Sequence, residues 1–466
     1  MIAWLAATLL SGAGFFLSLG LGTQWYLAWI APAPVLWYAF SRGRSRPSFL
    51  AAFVSYTLGA TNFLPAYGSI MPTVVLAQIL CGPALIFALA VVVARYVHAR
   101  LGPVAGVLAF ATAFAGADFL VSFLPAGGAA TSPANSQVDM PVMAQAAALG
   151  GFAAITFLIG LVAAVIAEAA RRRSLAWSLA SVGILAIIAG FGALRMSARA
   201  ESTTRVALIG GNDLVGNTGD YEEARTTQIL ATYAASVRAL AGKHVNLVVL
   251  PENSGRLAGA WGPKALAPLA SAAREIGATV VVGYNGDFAG ARRNLATALA
   301  PDGNSATYAK RHLVLGLETR FFIPGNGSLI LADGIEPEIC KDMDFPATIR
   351  RDAIANRPQM FAVPAWDFGA DGWSHARPAI LRSIETGTPL ARSARDGLLT
   401  LNDRFGRLAA SKPVGAGPTT VVGDLPLHGR GGDTLYARVG NAFGWACLLT
   451  VLALVTASIA RRYRDE

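Results

Sequence analysis

The sequence predicts a multi-span helical membrane domain of about eight helices combined with one soluble domain of layered α/β architecture. Two observations lead to this prediction. First, 54% of the 466 residues are hydrophobic and only 14% are charged, whereas about a quarter of the residues in a soluble protein carry charge. Second, the apolar residues are concentrated in 1–197 and 439–460, and the intervening segment has an ordinary globular composition. The predicted domains are therefore 1–197, 198–438 and 439–466.

Eight apolar stretches have close to the ~20 residues that an α-helix needs to cross a bilayer. The stretches are 2–20, 24–40, 49–67, 73–94, 103–124, 146–167, 175–195 and 440–460. The second is short, and the first two are also compatible with a single helical hairpin. The first has no preceding charge and further spans follow it, so we interpret it as a retained helix and not as a signal peptide.

Arginine clusters follow every second apolar stretch and predict the orientation of the chain. The clusters are Arg42, Arg44 and Arg46; Arg95 and Arg100; Arg171, Arg172 and Arg173; and Arg461, Arg462 and Arg464. The loops between them are nearly uncharged. The positive-inside rule then predicts that both termini are cytoplasmic and that the soluble domain faces outward, which is the periplasmic side of the inner membrane in a Gram-negative bacterium.

The net charge of +10 also comes mainly from these membrane flanks. The membrane segments contain 12 Lys/Arg and five Asp/Glu, and the soluble domain contains 26 and 23. Because the soluble domain is nearly balanced in charge, the high isoelectric point does not indicate a nucleic-acid partner.

The chain has three cysteines, and one of them is a candidate nucleophile. Cys81 and Cys447 lie in apolar spans, where a cysteine usually serves as a small hydrophobic residue. Cys340 is alone in the soluble domain, so neither a disulfide framework nor a CxxC metal pattern is present. Its surroundings, "EPEICKDMDFP" at 336–346, are acidic. Neighbouring carboxylates disfavour a thiolate, so a reactive Cys340 requires a cation and a base from elsewhere.

Strand-like runs alternate with amphipathic helical patterns through the soluble domain, which predicts a layered α/β sheet. The runs are 204–210, 245–251, 278–284, 293–300, 335–340 and 359–365, with helices near 220–241, 264–276, 345–357 and 374–387. Glu252, Lys310 and Cys340 each fall at or near the end of such a run. Strand ends are where α/β folds collect functional groups. Taken singly, Glu252 and Lys310 are also compatible with solvated surface positions.

The order Glu, Lys, Cys resembles the nitrilase (carbon–nitrogen hydrolase) superfamily. The matching segments are "PEN" at 251–253, "YAKRHLV" at 308–314 with Glu318 eight residues after the lysine, and "EICKDMDFP" at 338–346. With membrane spans on both sides, the chain resembles the membrane branch of that superfamily, the apolipoprotein N-acyltransferases. Further similar segments are 22–40, 382–408 and 432–445, so the resemblance covers nearly the whole chain. It implies an αββα sandwich for the soluble domain.

The resemblance also implies roles for the site residues. Cys340 would be the nucleophile, Glu252 the general base, and Lys310 the cation that favours the thiolate and stabilises the oxyanion together with a backbone N–H. Glu318 would orient Lys310 or the incoming amine. The implied reaction moves an acyl chain from a phospholipid, through a thioester on the cysteine, to the α-amine of a diacylglyceryl-cysteine lipoprotein. It implies no metal and no organic cofactor.

Some segments near the site depart from the family's usual pattern. Lys341 and Asp342 follow the cysteine where the family usually has Tyr-Glu. The segment between Glu318 and Cys340 is short, with Phe321, Phe322 and Ile323 as its apolar tip. The segment 364–380 differs from the family's and contains Trp373 and His375. We expect Lys341 and Asp342 to support the site. Phe321, Phe322, Trp373 and His375 are candidate substrate contacts, with helix capping or a surface position as the alternative for His375.

Three other functions are compatible with the sequence. One is a membrane-tethered amidase or hydrolase in which water or a different acceptor replaces the lipoprotein amine. Another is an inactive membrane-anchored binding protein, which the presence of all three triad residues disfavours. A transporter is disfavoured because Asp118 and Glu168 are the only acidic residues in the spans; for Asp118 we expect an interhelical hydrogen bond. We expect a monomer.

Overall fold

The computed structural model describes residues 1–41, 44–211 and 223–465. The chain divides into two compact units. The membrane unit comprises Met1–Ala198 and Val439–Glu466, and the α/β unit comprises Arg199–Arg438. Arg42 of the first basic cluster and the start of the helix expected near 220 lie outside the described residues.

The described part of the membrane unit consists of helices and the loops that connect them. Its helices are α1 (Ile2–Ser18), α2 (Ala33–Ser41), α3 (Ser45–Ala60), α4 (Leu64–Tyr67), α5 (Thr73–Leu101), α6 (Pro103–Val121), α7 (Pro141–Ala144), α8 (Ala147–Arg172), α9 (Leu175–Met196) and a C-terminal helix, Ala442–Asp465. Among the described residues, six helical segments are long and apolar enough to span a membrane, and α1 is a shorter apolar helix. The prediction of a helical integral membrane domain is confirmed.

The predicted second span, 24–40, does not form one continuous helix. A 3₁₀ turn at Trp25–Trp29 is followed by α2, which has only nine residues. Pro32 and Pro34 lie at this junction. Proline lacks a backbone N–H and is favoured in the first turn of a helix, where that N–H would have no partner, so the two prolines favour the start of a new helix here.

The two acidic residues of the predicted spans are each held by neighbouring polar side chains. The hydroxyls of Ser132 and Thr156 both donate to Asp118 Oδ2 at 2.6 Å. Because Asp118 lies on α6 and Thr156 on α8, the expected interhelical hydrogen bond is confirmed. Glu168 lies 2.7 Å from His98 Nε2 and also pairs with Arg171 and Arg172.

The described part of the α/β unit contains two β-sheets. Its strands are β1 (Ser202–Gly210), β2 (Leu247–Val249), β3 (Arg256–Leu257), β4 (Thr279–Phe288), β5 (Ala291–Leu299), β6 (Ser305–Ala309), β7 (Ile335–Pro337), β8 (Met360–Trp366), β9 (Leu390–Arg395), β10 (Leu398–Asn402), β11 (Leu408–Pro413) and β12 (Thr419–Leu427). The first sheet has the order β12-β1-β2-β4-β5-β6, with β3 paired to β4, and the second has the order β11-β10-β9-β8-β7. In each sheet three neighbouring strands are parallel: β1, β2 and β4 in the first, and β7, β8 and β9 in the second.

Helices cover the outer face of each sheet. The helices of this unit are α10 (Glu223–Arg238), α11 (Gly262–Ala265), α12 (Ala267–Ile276), α13 (Pro346–Asn356), α14 (Gly372–Thr386) and α15 (Leu435–Val439). On the first sheet, Leu230 of α10 and Leu269 of α12 pack against the strands. On the second, Ile349 of α13 and Ala379 of α14 pack against Phe361. The predicted αββα sandwich is therefore confirmed.

The inner faces of the two sheets share one apolar core. Val249 and Val281 of the first sheet belong to the same buried cluster as Ala362 and Ala391 of the second. Short apolar side chains on the inner faces let the sheets pack closely. The close packing matters for function because β2 and β7, on opposite sheets, both lead into candidate site residues.

The two sheets approach each other closely at Gly283 on β4. A Cβ atom at this position would lie 2.6 Å from the Cα of Glu252 and 2.9 Å from Cβ of Pro364 on β8. Separations below 3 Å between such carbon atoms are sterically forbidden, so only glycine fits without movement. Gly283 therefore fixes the backbone of Glu252 against the second sheet.

We predict that Gly283→Ala destabilises the protein by about 1–3 kcal/mol, the usual cost of overpacking a dense core. Chemical unfolding of the full chain in detergent, followed by tryptophan fluorescence, measures this change. Gly327→Ala is the matched control, because nothing lies within 4 Å of its added methyl group. Equal stability of the two variants would contradict the close approach.

Candidate active site

Three of the predicted residues converge from the ends of three strands. Glu252 lies shortly after β2, Lys310 directly follows β6, and Cys340 lies shortly after β7. The structure brings Glu252 and Lys310 into direct contact. Cys340 is near enough that the charges of both act on its thiol.

The ammonium group of Lys310 is the centre of this cluster. It is 1% exposed and lies 2.8 Å from Glu252 Oε1 and 2.8 Å from Glu318 Oε2. Burial by itself lowers the pKa of a lysine, but the two carboxylates reverse that effect and raise the pKa of Lys310 well above its usual value. The side chain is therefore a fixed cation, and the second predicted carboxylate, Glu318, shares it.

The carboxyl group of Glu252 is a stronger base than an exposed glutamate. Burial raises its pKa, the charge of Glu318 raises it further, and Lys310 opposes both. A carboxylate with a raised pKa accepts a proton more readily, as a general base must.

Asn294 on β5 is part of the site, although the sequence analysis did not identify it. Its Nδ2 donates to Glu252 Oε1 at 2.6 Å and to Glu318 Oε1 at 2.7 Å. The two N–H bonds of one amide therefore hold the two carboxylates in place. A signal in the sequence was the position of Asn294 directly before the mainly apolar run "LATALA" at 295–300. A polar side chain at the start of a buried strand needs hydrogen-bond partners.

Phe321 and Phe322 lie three and four residues after Glu318 in the chain. Their backbone N–H groups donate to the Glu318 carbonyl at 2.9 and 3.0 Å. The Phe321 side chain is 52% exposed and Phe322 is half-buried. The structure thus places an exposed apolar side chain next to the acidic residue that pairs with Lys310, and the role of both phenylalanines as substrate contacts stays a prediction.

Cys340 has a backbone conformation that is unusual for a residue with a side chain. Its φ angle is +39°, in the left-handed region. Such strain persists where the surrounding structure determines it, often at functional sites. The thiol donates to the carbonyl of Trp366 at the end of β8, with an Sγ to O distance of 3.7 Å. Burial raises the pKa of the Cys340 thiol well above its usual value, and Glu252 adds to this.

A second buried cation, Arg392 on β9, acts on the same thiol. The charges of Lys310 and Arg392 both oppose the rise in the pKa of Cys340. Arg392 is held by an ion pair with Asp367, the residue after Trp366. The sequence analysis missed Arg392, because nothing in the run of β9 distinguishes a buried arginine from a solvated one.

His375 belongs to the cluster around Asp367. Its Nδ1 lies 3.3 Å from a carboxylate oxygen of Asp367 and 3.3 Å from one of Asp371. Burial alone would lower the pKa of His375, but the two carboxylates raise it to about 9. Nearby on the same helix, Trp373 has the Arg377 guanidinium 5.8 Å from its ring centroid. His375 is thus ion-paired within the protein, and contacts of His375 and Trp373 with substrate stay predictions.

Asp342 links the two chain segments that present Lys310 and Cys340. Its Oδ1 accepts the backbone N–H groups of Arg311 at 3.2 Å and His312 at 2.8 Å. Its Oδ2 accepts the N–H of Ile339 at 3.2 Å. One buried carboxylate therefore ties the residue before the cysteine to the residues after the lysine.

Lys341 lies on the other side of the cysteine. Its Nζ is 3.7 Å from Asp344 Oδ2 and 5.8 Å from the centroid of the Phe345 ring. The side chain is largely buried against these two neighbours. Its supporting role in the site stays a prediction.

Comparison with known proteins gives a consistent assignment. Residues 11–165 match the family model of the apolipoprotein N-acyltransferase N-terminal domain. An apolipoprotein N-acyltransferase from Geobacter metallireducens is 26% identical, with 94% of this chain and 92% of that protein aligned. One from Vibrio vulnificus is 25% identical, with 67% and 68% aligned.

Among solved structures, a mutant of the amidase from Nesterenkonia, a nitrilase-superfamily protein, is also similar. It is 21% identical and aligns over 51% of this chain and 94% of that one, with a TM-score of 0.43.

The chain combines a helical membrane unit with a two-sheet α/β unit that carries a glutamate, a lysine and a cysteine at strand ends. It is similar over nearly its whole length to an apolipoprotein N-acyltransferase. The predicted resemblance to the apolipoprotein N-acyltransferases is confirmed.

We predict that Asn294→Ala slows the reaction of Cys340 with iodoacetamide by about tenfold or more. The substitution removes two hydrogen bonds to charged groups, each worth about 1.5–3 kcal/mol, so the carboxylates around Lys310 lose their fixed positions. Intact-mass analysis over time measures the alkylation rate.

Asn304→Ala is the control for this prediction, because the Asn304 side chain lies on an exposed turn and bonds Asp302. An Asn294→Ala variant that is alkylated as fast as Asn304→Ala would show that the amide does not organise the site.

Proposed function

We propose that this protein is a phospholipid:apolipoprotein N-acyltransferase. The substrates would be a phospholipid, as acyl donor, and the α-amine of the diacylglyceryl-cysteine of a lipoprotein, as acceptor. The observation that carries the proposal is the convergence of a partly buried cysteine with a buried lysine and a buried glutamate at strand ends, in a chain with its own membrane unit. Similarity over 94% of the chain to a protein named apolipoprotein N-acyltransferase supports it.

In the first half-reaction Glu252 accepts the proton of the Cys340 thiol. The thiolate attacks the ester carbonyl of the phospholipid, and the developing oxyanion is stabilised by the Lys310 ammonium and the backbone N–H of Lys341. When the carbon–oxygen bond breaks, Glu252 returns the proton to the departing glycerol oxygen. The products are a lysophospholipid and an acyl thioester on Cys340.

In the second half-reaction the lipoprotein amine attacks the thioester carbonyl. Glu252 accepts a proton from the amine, and the same donors stabilise the second oxyanion. The carbon–sulfur bond then breaks, the thiol regains its proton from Glu252, and the amide product leaves. Glu318 keeps Lys310 fixed through both steps, since it is the second carboxylate that pairs with the ammonium.

The resting site is arranged to delay ionisation of the thiol until substrate is bound. The pKa of Cys340 is raised by burial and by Glu252, so the thiol is protonated at neutral pH. Proton transfer to Glu252 removes the negative charge that disfavours the thiolate and moves it onto sulfur, beside the cations Lys310 and Arg392. Coupled transfer of this kind suits a base whose own pKa is raised.

The location that we propose for the protein rests on the arginine clusters. The protein would lie in the inner membrane of a bacterium, with both termini in the cytoplasm and the α/β unit on the periplasmic side. Both proposed substrates are lipid-anchored in the same bilayer. We propose that the protein works as a monomer.

We predict that wild-type protein, purified in detergent and incubated with phospholipid, gains the mass of one fatty-acyl chain on Cys340. Hydroxylamine should remove the added mass, because it cleaves thioesters. Cys340→Ala should gain none. Cys81→Ala, which removes an exposed cysteine of the membrane unit, should behave as wild type. Failure of wild type and Cys81→Ala to gain mass, with no fatty acid released, would contradict the proposal.

The acceptor is tested by adding a diacylglyceryl-cysteine lipopeptide to the acylated enzyme. The enzyme should lose its added mass and the lipopeptide should gain it, whereas a lipopeptide with an acetylated α-amine should gain none. Release of free fatty acid at the same rate with either lipopeptide would instead identify a hydrolase.

A further inference from the structure

The Tyr308 hydroxyl has three polar neighbours, and two of them stand two residues before and two residues after Cys340 in the chain. Arg311 Nε donates to it at 2.9 Å. Glu338 Oε2 lies 2.9 Å away and Asp342 Oδ2 lies 2.8 Å away. A phenol has one hydrogen to donate and an oxygen that accepts. If both carboxyl groups were ionised, only one of the two short contacts would be a hydrogen bond, and the other would set two oxygen lone pairs against each other.

The pattern of donors decides which carboxyl group carries an extra proton. Asp342 receives the backbone N–H groups of Arg311, His312 and Ile339, and His312 Nδ1 lies 3.0 Å from its Oδ1. A group that accepts so many bonds is best satisfied as a carboxylate. Glu338 Oε1 accepts from Arg311, and Tyr308 is the neighbour of Oε2. A proton on Glu338 Oε2 therefore satisfies all three contacts of the phenol oxygen.

The surrounding charges favour the same assignment. Glu338 is completely buried. It is faced by Tyr308 and Arg311 from the end of β6, by Asp342, by Glu336 on its own strand and by Asp352 on α13, which shares the Arg311 guanidinium. Burial raises the pKa of Glu338 well above its ordinary value against the opposing charge of Arg311, whereas His312 and Arg311 lower the pKa of Asp342 in spite of its burial.

We infer that Glu338 is a protonated positioning residue that acts on Cys340 through Tyr308 and Asp342. Its proton is donated to Tyr308, which directs the Tyr308 hydroxyl hydrogen to Asp342. Asp342 then stays ionised and holds the backbone before Cys340 and after Lys310. The catalytic consequence rests on the proposed function of Cys340, but the protonation of Glu338 does not.

This assignment also removes one negative charge from the acidic stretch around the cysteine. A neutral Glu338, two residues before Cys340 in the chain, does not oppose formation of the thiolate. Ionised Glu338 would add such a charge and would compete with Asp342 for the single hydrogen of Tyr308.

The protonation state is tested by infrared difference spectroscopy of the full chain in detergent at neutral pH, comparing wild type with Glu338→Gln. The amide of glutamine reproduces both bonds, since its N–H₂ donates to Tyr308 and its carbonyl accepts from Arg311. The difference spectrum should show loss of a protonated carboxyl C=O band that shifts in D₂O. Loss of carboxylate bands would overturn the inference. Glu336→Gln is the control, because burial raises the pKa of that neighbour to about 7 and it has its own band.

The positioning role is tested by the rate at which iodoacetamide alkylates Cys340. Glu338→Ala should slow alkylation by about tenfold or more, the effect of losing a buried hydrogen bond at a charged network, and Glu338→Gln should restore it to within about threefold of wild type. The ratio of the Glu338→Gln rate to the wild-type rate should rise with pH, because only wild type can ionise at this position.

A ratio that is constant with pH, or a glutamine variant as slow as the alanine variant, would overturn the positioning role. Alkylation requires no acyl donor, so this outcome is distinct from a failure of the acyl-transfer reaction.

Discussion

Burial of the Lys310 ammonium is the constraint on which the rest of the site depends. Removing a charge from water costs several kcal/mol unless partners replace the lost solvation. Glu252 and Glu318 provide these partners at 2.8 Å each, and Asn294 holds both carboxylates. Glu252, Glu318 and Asn294 must therefore all lie close to Lys310 at the end of β6. The backbone of Glu252 is in addition packed tightly against Gly283 on β4. The geometry needed for chemistry is thus also the geometry that makes burial of the charges tolerable.

The polar side chains of the membrane unit have a different purpose. An acidic residue inside a span usually marks an ion pathway or a structural bond. Asp118 is bonded to Ser132 and to Thr156 on a neighbouring helix. Glu168 is paired with two arginines of its own helix and with His98 of α5. Both acids thus hold helices or helix ends together, which is a structural role.

The sequence was sufficient for the fold class and for the three residues that converge, because hydrophobic periodicity and strand-end position are local properties. It was insufficient where the contact joins distant segments. Asn294 and Arg392 appear in the sequence as ordinary polar residues of strands, and only the pairing of the strands brings them to Glu252 and Asp367. The prediction of one continuous span over 24–40 was wrong, because it was based on apolar composition and not on the two prolines within the stretch. The structure has a 3₁₀ turn and a nine-residue helix there.

The residues after the cysteine depart from the family's usual pattern, and the structure shows which contacts they make instead. Asp342 stands where a longer glutamate is usual, and its carboxylate is used on backbone N–H groups on both sides of the site. A short acid suits that task, because the turn that begins at Cys340 brings the accepting oxygens close to the backbone. Lys341, which replaces an aromatic residue, is drawn towards Asp344 and the Phe345 ring. Its charge is therefore balanced locally, so the cations that act on the thiol are Lys310 and Arg392.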